Sequence, residues 1–434
     1  MSNNKKGKQF FSIGSVFFLL IVIPLSLMAF LIANGIFKLG VTIQERTAVV
    51  LDQKAQEDIK ARAINTANEV AGFLTESKKD LLIATIIPPT ETAFRQFVLE
   101  NRKPIWARDG KRVQQVLVPL YKEMSLIDRK GKELIKVVDG KVMPESQLKN
   151  VSIPANTTYK NETYFAQAQL LNKGEVYVSP VTGLYVTKDA FNKGARFNGI
   201  IRLATPLFDK DGFAGVIALA LDYRHLATFT NHIIPTQMEK VYEVDATAGN
   251  YAYIIDHRGY VIVHPSSYHI VGLNAQGVQV PTLNERNAND LMKKGIEALN
   301  LHQLGFMDPN LPVIAKEAAA GKSGVLSYKF GGHAKFVAYA PIKFYTKNLP
   351  APAGFGWVGM GIDVDKYKEA ALKVAQNIDK EAKAWTATII FILVASMIIL
   401  FLIMWLLMRG INRSIAAEVP EGSEQPLDFD DDDD

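Results

Sequence analysis

The sequence predicts a mixed α/β (α+β) protein in which a long N-terminal helix precedes two tandem modules with antiparallel sheets, the whole flanked by two transmembrane helices. Three observations predict it. Two stretches, 9–37 and 384–408, carry no Asp, Glu, Lys or Arg; the segment 43–87 has no proline and one glycine; and three ordered motifs recur in the roughly 350 residues between the apolar stretches.

A bilayer core needs about 20 apolar helical residues, so both charge-free stretches are long enough to span. The first, taken as 10–37, exceeds a signal-peptide core and lacks a clear small-residue cleavage site, although Ser26, Ala29 and Ala33 leave a cleaved signal as the alternative. Lys5, Lys6 and Lys8 precede it, and Arg409 and Arg413 follow the second span at 384–408. The positive-inside rule then places 1–9 and 409–434 in the cytoplasm and the intervening region outside, which in a bacterial inner membrane is periplasmic or extracellular. Two spans cannot by themselves build a solute pathway. The chain has no cysteine, which excludes disulfide scaffolds and thiolate chemistry.

Between 43 and 87, apolar residues recur at Val50, Leu51, Ile59, Ala63, Val70 and Leu74, in broadly helical spacing. A spine helix over 38–89 follows, extending on the order of 65 Å at 1.5 Å per residue, with Pro88-Pro89 as its stop. A helix of that length predicts a partner helix, and hence a homodimer; an intramolecular spine is the alternative. Farther on, Leu126-Ile127-Asp128-Arg129-Lys130-Gly131 is echoed by Ile254-Ile255-Asp256-His257-Arg258-Gly259, each an apolar strand entering an Asp-x-x-Gly turn. Thr205-Pro206, then Gly212 to Ile217, then Asp222, are echoed by Ala340-Pro341, Gly354 to Val358 and Asp363. One such hairpin is common; three in the same order twice indicate duplicated modules. They are assigned to 90–235 and 236–376.

The residues resemble the double Cache domain, the tandem PAS-like extracellular sensor of bacterial chemoreceptors, histidine kinases and diguanylate cyclases. The resemblance spans roughly 41–376. It is carried by the long helix, Tyr164-Phe165 followed by Val176-Tyr177-Val178-Ser179-Pro180, Ala204-Thr205-Pro206, and Gly215-Val216 leading to Asp222. The second module matches at Ile255-Asp256-x-x-Gly259 through His264-Pro265, then Gly272-Leu273-Asn274. The resemblance implies a sensor whose membrane-distal module binds a small organic ligand such as a carboxylate or amine, and which relays through the second span, usually as a dimer. The amino-acid-binding branch carries Arg-x-Trp-Tyr where this chain has Glu162-Thr163-Tyr164-Phe165, so the guanidinium that would clamp an α-carboxylate is missing there.

Six residues are candidates for the ligand site. The resemblance implies an ammonium partner at Asp222; a cap of the following helix is the other reading. Arg202 sits in the apolar run Ile200-Ile201-Arg202-Leu203-Ala204, where an inward guanidinium needs a partner and would suit a carboxylate, whereas alternation could turn it to solvent. Tyr164, Phe165, Tyr177 and Tyr185 are either aromatic walls of a pocket or core.

His257, His264 and His269 match no metal spacing, no Gly-x-Ser-x-Gly elbow or phosphate loop occurs, and basic stretches interleaved with aromatics are not evident. The expectation is therefore no enzyme, no metal, no cofactor and no nucleic-acid partner. From Arg409 onward the chain holds two basic and nine acidic residues, ending in Asp430 to Asp434, and shows no kinase, cyclase or methyl-accepting segment. A separate signalling partner is expected, such as a histidine kinase or chemoreceptor-like complex. The alternative is a scaffolding subunit whose modules bind protein.

Overall fold

The computed structural model of the chain describes residues 13–109 and 112–418. The expected cytoplasmic segments 1–9 and, from 419 onward, the acidic tail lie outside the described residues. Contacts divide the chain into two units, Gln53–Lys368 and a second made of Met1–Asp52 with Glu369–Asp434.

The second unit carries two segments long and apolar enough to cross a membrane, Leu19–Lys38 with mean hydropathy 2.4 and Gln376–Leu407 with mean hydropathy 3.1. Their large side chains are turned outward: Phe30 is 65% and Phe391 73% exposed. An apolar helix with most of its large side chains turned outward suits hydrocarbon, where its backbone bonds are satisfied internally.

In Gln53–Lys368 the chain begins within helix α1 (Ile13–Ala84), followed by α2 (Glu91–Glu100). The sequence places the stop at Pro88; the helix ends at Ala84 because Thr85 and Ile86 already tighten into bonds to Leu82 O and Ile83 O, and residues before a proline avoid the α region. Ile59, Ala63, Ala67, Val70, Leu74, Leu81 and Ala84 are buried at alternating spacings of three, four and seven, one stripe facing the sheets. Val50 and Leu51 fall where side chains are not described.

The first module, labelled distal after the expectation above, then contains strands β1 (Arg102–Asp109), β2 (Arg112–Pro119), β3 (Tyr121–Asp128), β4 (Glu133–Val138) and β5 (Lys141–Val142). After them come helix α3 (Tyr164–Gln169), β6 (Tyr177–Val178), β7 (Thr182–Gly183), helix α4 (Lys188–Asn192), β8 (Gly199–Asp209), β9 (Gly212–Asp222) and helix α5 (Tyr223–Ala227). Strands β1 and β2 form a separate two-stranded arm. The main sheet runs β5-β4-β3-β9-β8-β6, with β7 also on β8.

The second module contributes β10 (Tyr251–Asp256), β11 (Val261–Val263), α6 (Ala288–Lys293), α7 (Asn310–Ala319), β12 (Gly324–Phe330), β13 (His333–Ile342) and β14 (Gly356–Asp363), then α8 (Val364–Glu418). Its sheet order is β11-β10-β14-β13-β12, antiparallel throughout. Strands β4-β3-β9-β8 of the first sheet repeat β11-β10-β14-β13 of the second, so the duplicated motifs mark duplicated sheets.

The repeat extends to single contacts. Asp128 Oδ1 accepts from Lys130 N and Lys132 N at 2.8 Å, and Asp256 Oδ1 from Arg258 N and Tyr260 N at 2.9 and 3.0 Å. Each turn closes on a glycine of positive φ, Gly131 at 90° and Gly259 at 87°. Opposite each Asp lies a glycine of the last strand, Gly215 and Gly356. A Cβ at either would stand 2.1 Å from a carbonyl oxygen, that of Ile127 or Ile255.

Strand alternation divides the distal sheet. Ile201 and Leu203 of β8 and Ile217, Leu219 and Leu221 of β9 join the core shared with α1. Ala204, Val216 and Ala218 turn the other way, toward α3, where Tyr164, Phe165 and Tyr177 complete a smaller core. Arg202 and Ala220 share the parity of this second face.

Candidate ligand site

The outer face of the distal sheet carries a buried ion network. Glu123 on β3 and Arg202 on β8 are both registered opposite the same residue, Ala220 of β9. Strands are spaced about 4.8 Å apart, so the two long side chains meet above the methyl group of Ala220. Arg202 Nη1 donates to Glu123 Oε2 at 2.8 Å and Nε donates to Glu162 Oε1 at 2.9 Å. The guanidinium also lies 4.8 Å from the centre of the Tyr164 ring.

The carboxylates are held in turn. Thr158 Oγ1 donates to Glu123 Oε1 at 2.7 Å, Tyr159 N to Glu162 Oε2 at 3.2 Å, and Lys136 Nζ lies 4.0 Å from Glu123. Burial opposes the charge on Arg202, yet Glu123 and Glu162 outweigh it and keep its pKa above the ordinary arginine value. Burial likewise pushes the Glu123 carboxyl up, but Arg202 and Lys136 prevail and hold it below the usual carboxylate range. Arg202 and Glu123 are therefore ionised, and the guanidinium is shared between the Glu123 and Glu162 side chains.

Beside this network is a cavity of about 220 Å³. Glu162, Thr163, Tyr164, Tyr177 and Arg202 line it from the distal module; Arg258, Gly272, Leu273 and Gln279 line it from the second. Arg258 is held by Asp256 Oδ2, which accepts from Nε at 2.9 Å and Nη2 at 2.6 Å. These bonds orient the guanidinium and leave Nη1 without a protein partner among the described residues.

The six candidates separate on this map. Tyr164, Tyr177 and Arg202 line the cavity. Phe165 packs edge-on against Phe213 at 6.3 Å, in the core under α3. Tyr185 joins the modules: its hydroxyl donates to Tyr268 O and accepts from Glu297 N, both at 2.8 Å. Asp222 caps α5 through Arg224 N at 2.9 Å and pairs with Arg224 Nη2 at 2.6 Å, with Lys122 at 3.8 Å. It is 1% exposed and does not line this cavity.

Sequence reasoning missed Glu123 and Arg258. A glutamate inside the run Tyr121 to Asp128 was the available signal for the first, since a charged residue in a buried strand needs a counter-ion. Arg258 lay hidden in a turn motif that accounts for itself by backbone geometry alone.

The sheet order second-first-fifth-fourth-third, set behind a long helix and repeated in tandem, defines a PAS-like double sensor domain. The chain belongs to the Cache-domain family, whose model matches residues 47–370. No curated protein matches the chain. Among solved structures, it is similar to a domain of a sensory box/GGDEF family protein from Vibrio parahaemolyticus, at 16% identity and TM-score 0.41, covering 72% of this chain and 96% of that one. It is also similar to the ligand-binding domain of Pseudomonas fluorescens chemoreceptor CtaA in complex with L-isoleucine, at 15% identity and TM-score 0.39, covering 78% and 99%. A third is the ligand-binding domain of the Pseudomonas aeruginosa amino-acid chemoreceptor PctB with L-Arg, at 13% identity and TM-score 0.38, covering 73% and 97%.

Proposed function

We propose that the protein is a membrane-anchored sensor that binds a small organic carboxylate in the distal cavity and relays occupancy through the apolar helix at its C-terminal end. The observation that carries this reading is Arg258. Arg202 is neutralised by two carboxylates and both Glu162 oxygens are engaged, whereas Arg258 lines the cavity with donors to spare. A guanidinium fixed on one side by a carboxylate presents its free edge to a second one at little further entropic cost. A cavity this small suits a metabolite rather than a peptide.

Of the two ligand classes the resemblance implies, an amine would need an unengaged carboxylate in the wall, and Glu162 does not offer one. Because the cavity takes residues from both modules, a ligand there would tie Arg258 of the second module to Tyr164 and Tyr177 of the first. The remaining parts of the reading rest on the sequence: both termini cytoplasmic, a homodimer along the long helix, a separate kinase or chemoreceptor-like partner, and no catalytic role.

The test is a thermal-shift screen of the full chain in detergent against organic acids, amines and amino acids. A ligand that binds the folded state alone raises the melting temperature by mass action. The expected hits are carboxylates whose shift disappears in Arg258→Ala. Silence across the screen would favour the scaffolding alternative.

A further inference from the structure

A second and larger cavity, of about 540 Å³, lies where the arm, α5 and the connection between the modules meet. Its walls are unlike those of the distal cavity. One is aromatic: Trp106 of the arm stands 5.7 Å from the His232 ring, which stands 6.4 Å from Tyr242. The Arg108 guanidinium lies over the Tyr242 ring at 4.5 Å. Arg224 of α5 also lines the cavity, with Thr228 and Asn231 just after that helix.

The charge here is in excess on the positive side. Arg224 is matched by Asp222, which it shares with Lys122, and Arg196 is matched by Glu243. Arg108 has no carboxylate partner among the described residues. His232 Nδ1 contacts the carbonyls of Val241 and Tyr242 at 3.0 and 2.7 Å, so it carries the ring proton and leaves Nε2 an acceptor. Burial lowers the pKa of this ring and keeps it neutral. Two polar atoms in the wall, Tyr223 Oη and Asn231 Oδ1, are buried and have no hydrogen-bond partner among the described residues. Buried polar groups nearly always find one.

An aromatic wall, an arginine already stacked on it and a surplus of guanidinium over carboxylate together select an aromatic anion. We infer that this cavity is a second ligand site, distinct from the distal one, and that it binds an aromatic carboxylate with the ring against Trp106 and Tyr242 and the carboxylate on Arg108. Its volume is within the range of small-molecule sites. The site draws on the arm, on α5 and on the linker, so it is complete only when all three are in place.

The test is a fluorescence titration of the full chain in detergent with 2-naphthoate, alongside naphthalene-2-carboxamide and the non-aromatic decahydronaphthalene-2-carboxylate. Saturable binding of 2-naphthoate is expected, weakened at least about tenfold in each analogue, which is about 1.4 kcal/mol apiece. Arg108 is exposed, so Arg108→Met should leave the melting temperature unchanged while weakening 2-naphthoate by a similar factor. Arg258→Ala should leave 2-naphthoate affinity untouched, although it removes the distal carboxylate site. Equal binding of the carboxamide, full affinity in Arg108→Met, or loss in Arg258→Ala instead would each overturn the assignment, the last by moving the ligand into the distal cavity.

Discussion

Arg202 Nε donates to Glu162 Oε1 at 2.9 Å, joining a strand of the sheet to the segment that leads into α3. The guanidinium comes from β8 and the carboxylate from the residue two positions before α3. The pair is buried, with Arg202 at 1% exposure. Removing one partner of a buried ion network strands the other charges, which typically costs 3–5 kcal/mol. Arg202→Met should destabilise the folded chain by about that amount in urea denaturation. Adding Glu123→Gln and Glu162→Gln to Arg202→Met should recover part of the loss, because no buried charge then lacks a counter-ion.

Ala220 is the residue over which the network closes. It pairs with both Glu123 and Arg202, and any longer side chain would occupy the space their head groups cross. Ala220→Leu should cost at least about 2 kcal/mol, from overpacking together with the displaced ion pair. The same change at Ala218, one pleat along β9 on the same face, meets Ser125 of β3 and the apolar core under α3 rather than an ion pair. Comparing the two denaturation midpoints isolates the electrostatic part.

Gly215 and Gly356 hold the same place in the two modules, each opposite a turn aspartate with a carbonyl oxygen 2.1 Å from where a Cβ would stand. Backbone has to move to admit alanine at either. Gly215→Ala and Gly356→Ala should each lower stability by at least about 2 kcal/mol, beyond the few tenths of a surface change. Equal sensitivity at the two sites, read from parallel melting curves, would show that the modules are equivalent mechanically as well as topologically.

The second module should be the acid-labile one. His264 and His269 are buried with their rings 4.9 Å apart. Burial pushes His269 down to about 4, and His264 well below its ordinary value. Their neutral forms are favoured in the fold, so the stability they contribute is complete above the unfolded histidine value of about 6.5 and is lost as pH falls toward 4. For His269 alone this is on the order of 3 kcal/mol. Urea midpoints should fall between about pH 7 and pH 4.5, and His269→Gln should flatten that dependence.

The duplicated modules were legible because their signals are local. An Asp-x-x-Gly turn needs only its own residues: Asp128 and Asp256 each accept from two backbone N–H groups within four positions. The spine stripe at Ile59, Ala63, Val70 and Leu74 was legible for the same reason, since helical periodicity is written in consecutive turns. The site was only half legible. Tyr164, Tyr177 and Arg202 do line the cavity, yet the fate of Arg202 depends on Glu123, 79 positions away in sequence and brought alongside by the register of two strands on Ala220. Asp222, offered two readings by the sequence, is placed as the cap of α5, with Arg224 and Lys122 around it. Arg258 reaches the distal cavity from the other module, a relation that no pattern within either module contains.

The central claim is that a small carboxylate binds the distal cavity through Arg258. It is tested most directly by isothermal titration of the best acid from the screen into the full chain and into Arg258→Ala. Arg258 is partly exposed and its turn is closed by backbone bonds to Asp256, so the variant should fold. The account predicts saturable one-site binding that Arg258→Ala weakens at least about tenfold, or 1.4 kcal/mol. Undiminished affinity in a folded Arg258→Ala would contradict it.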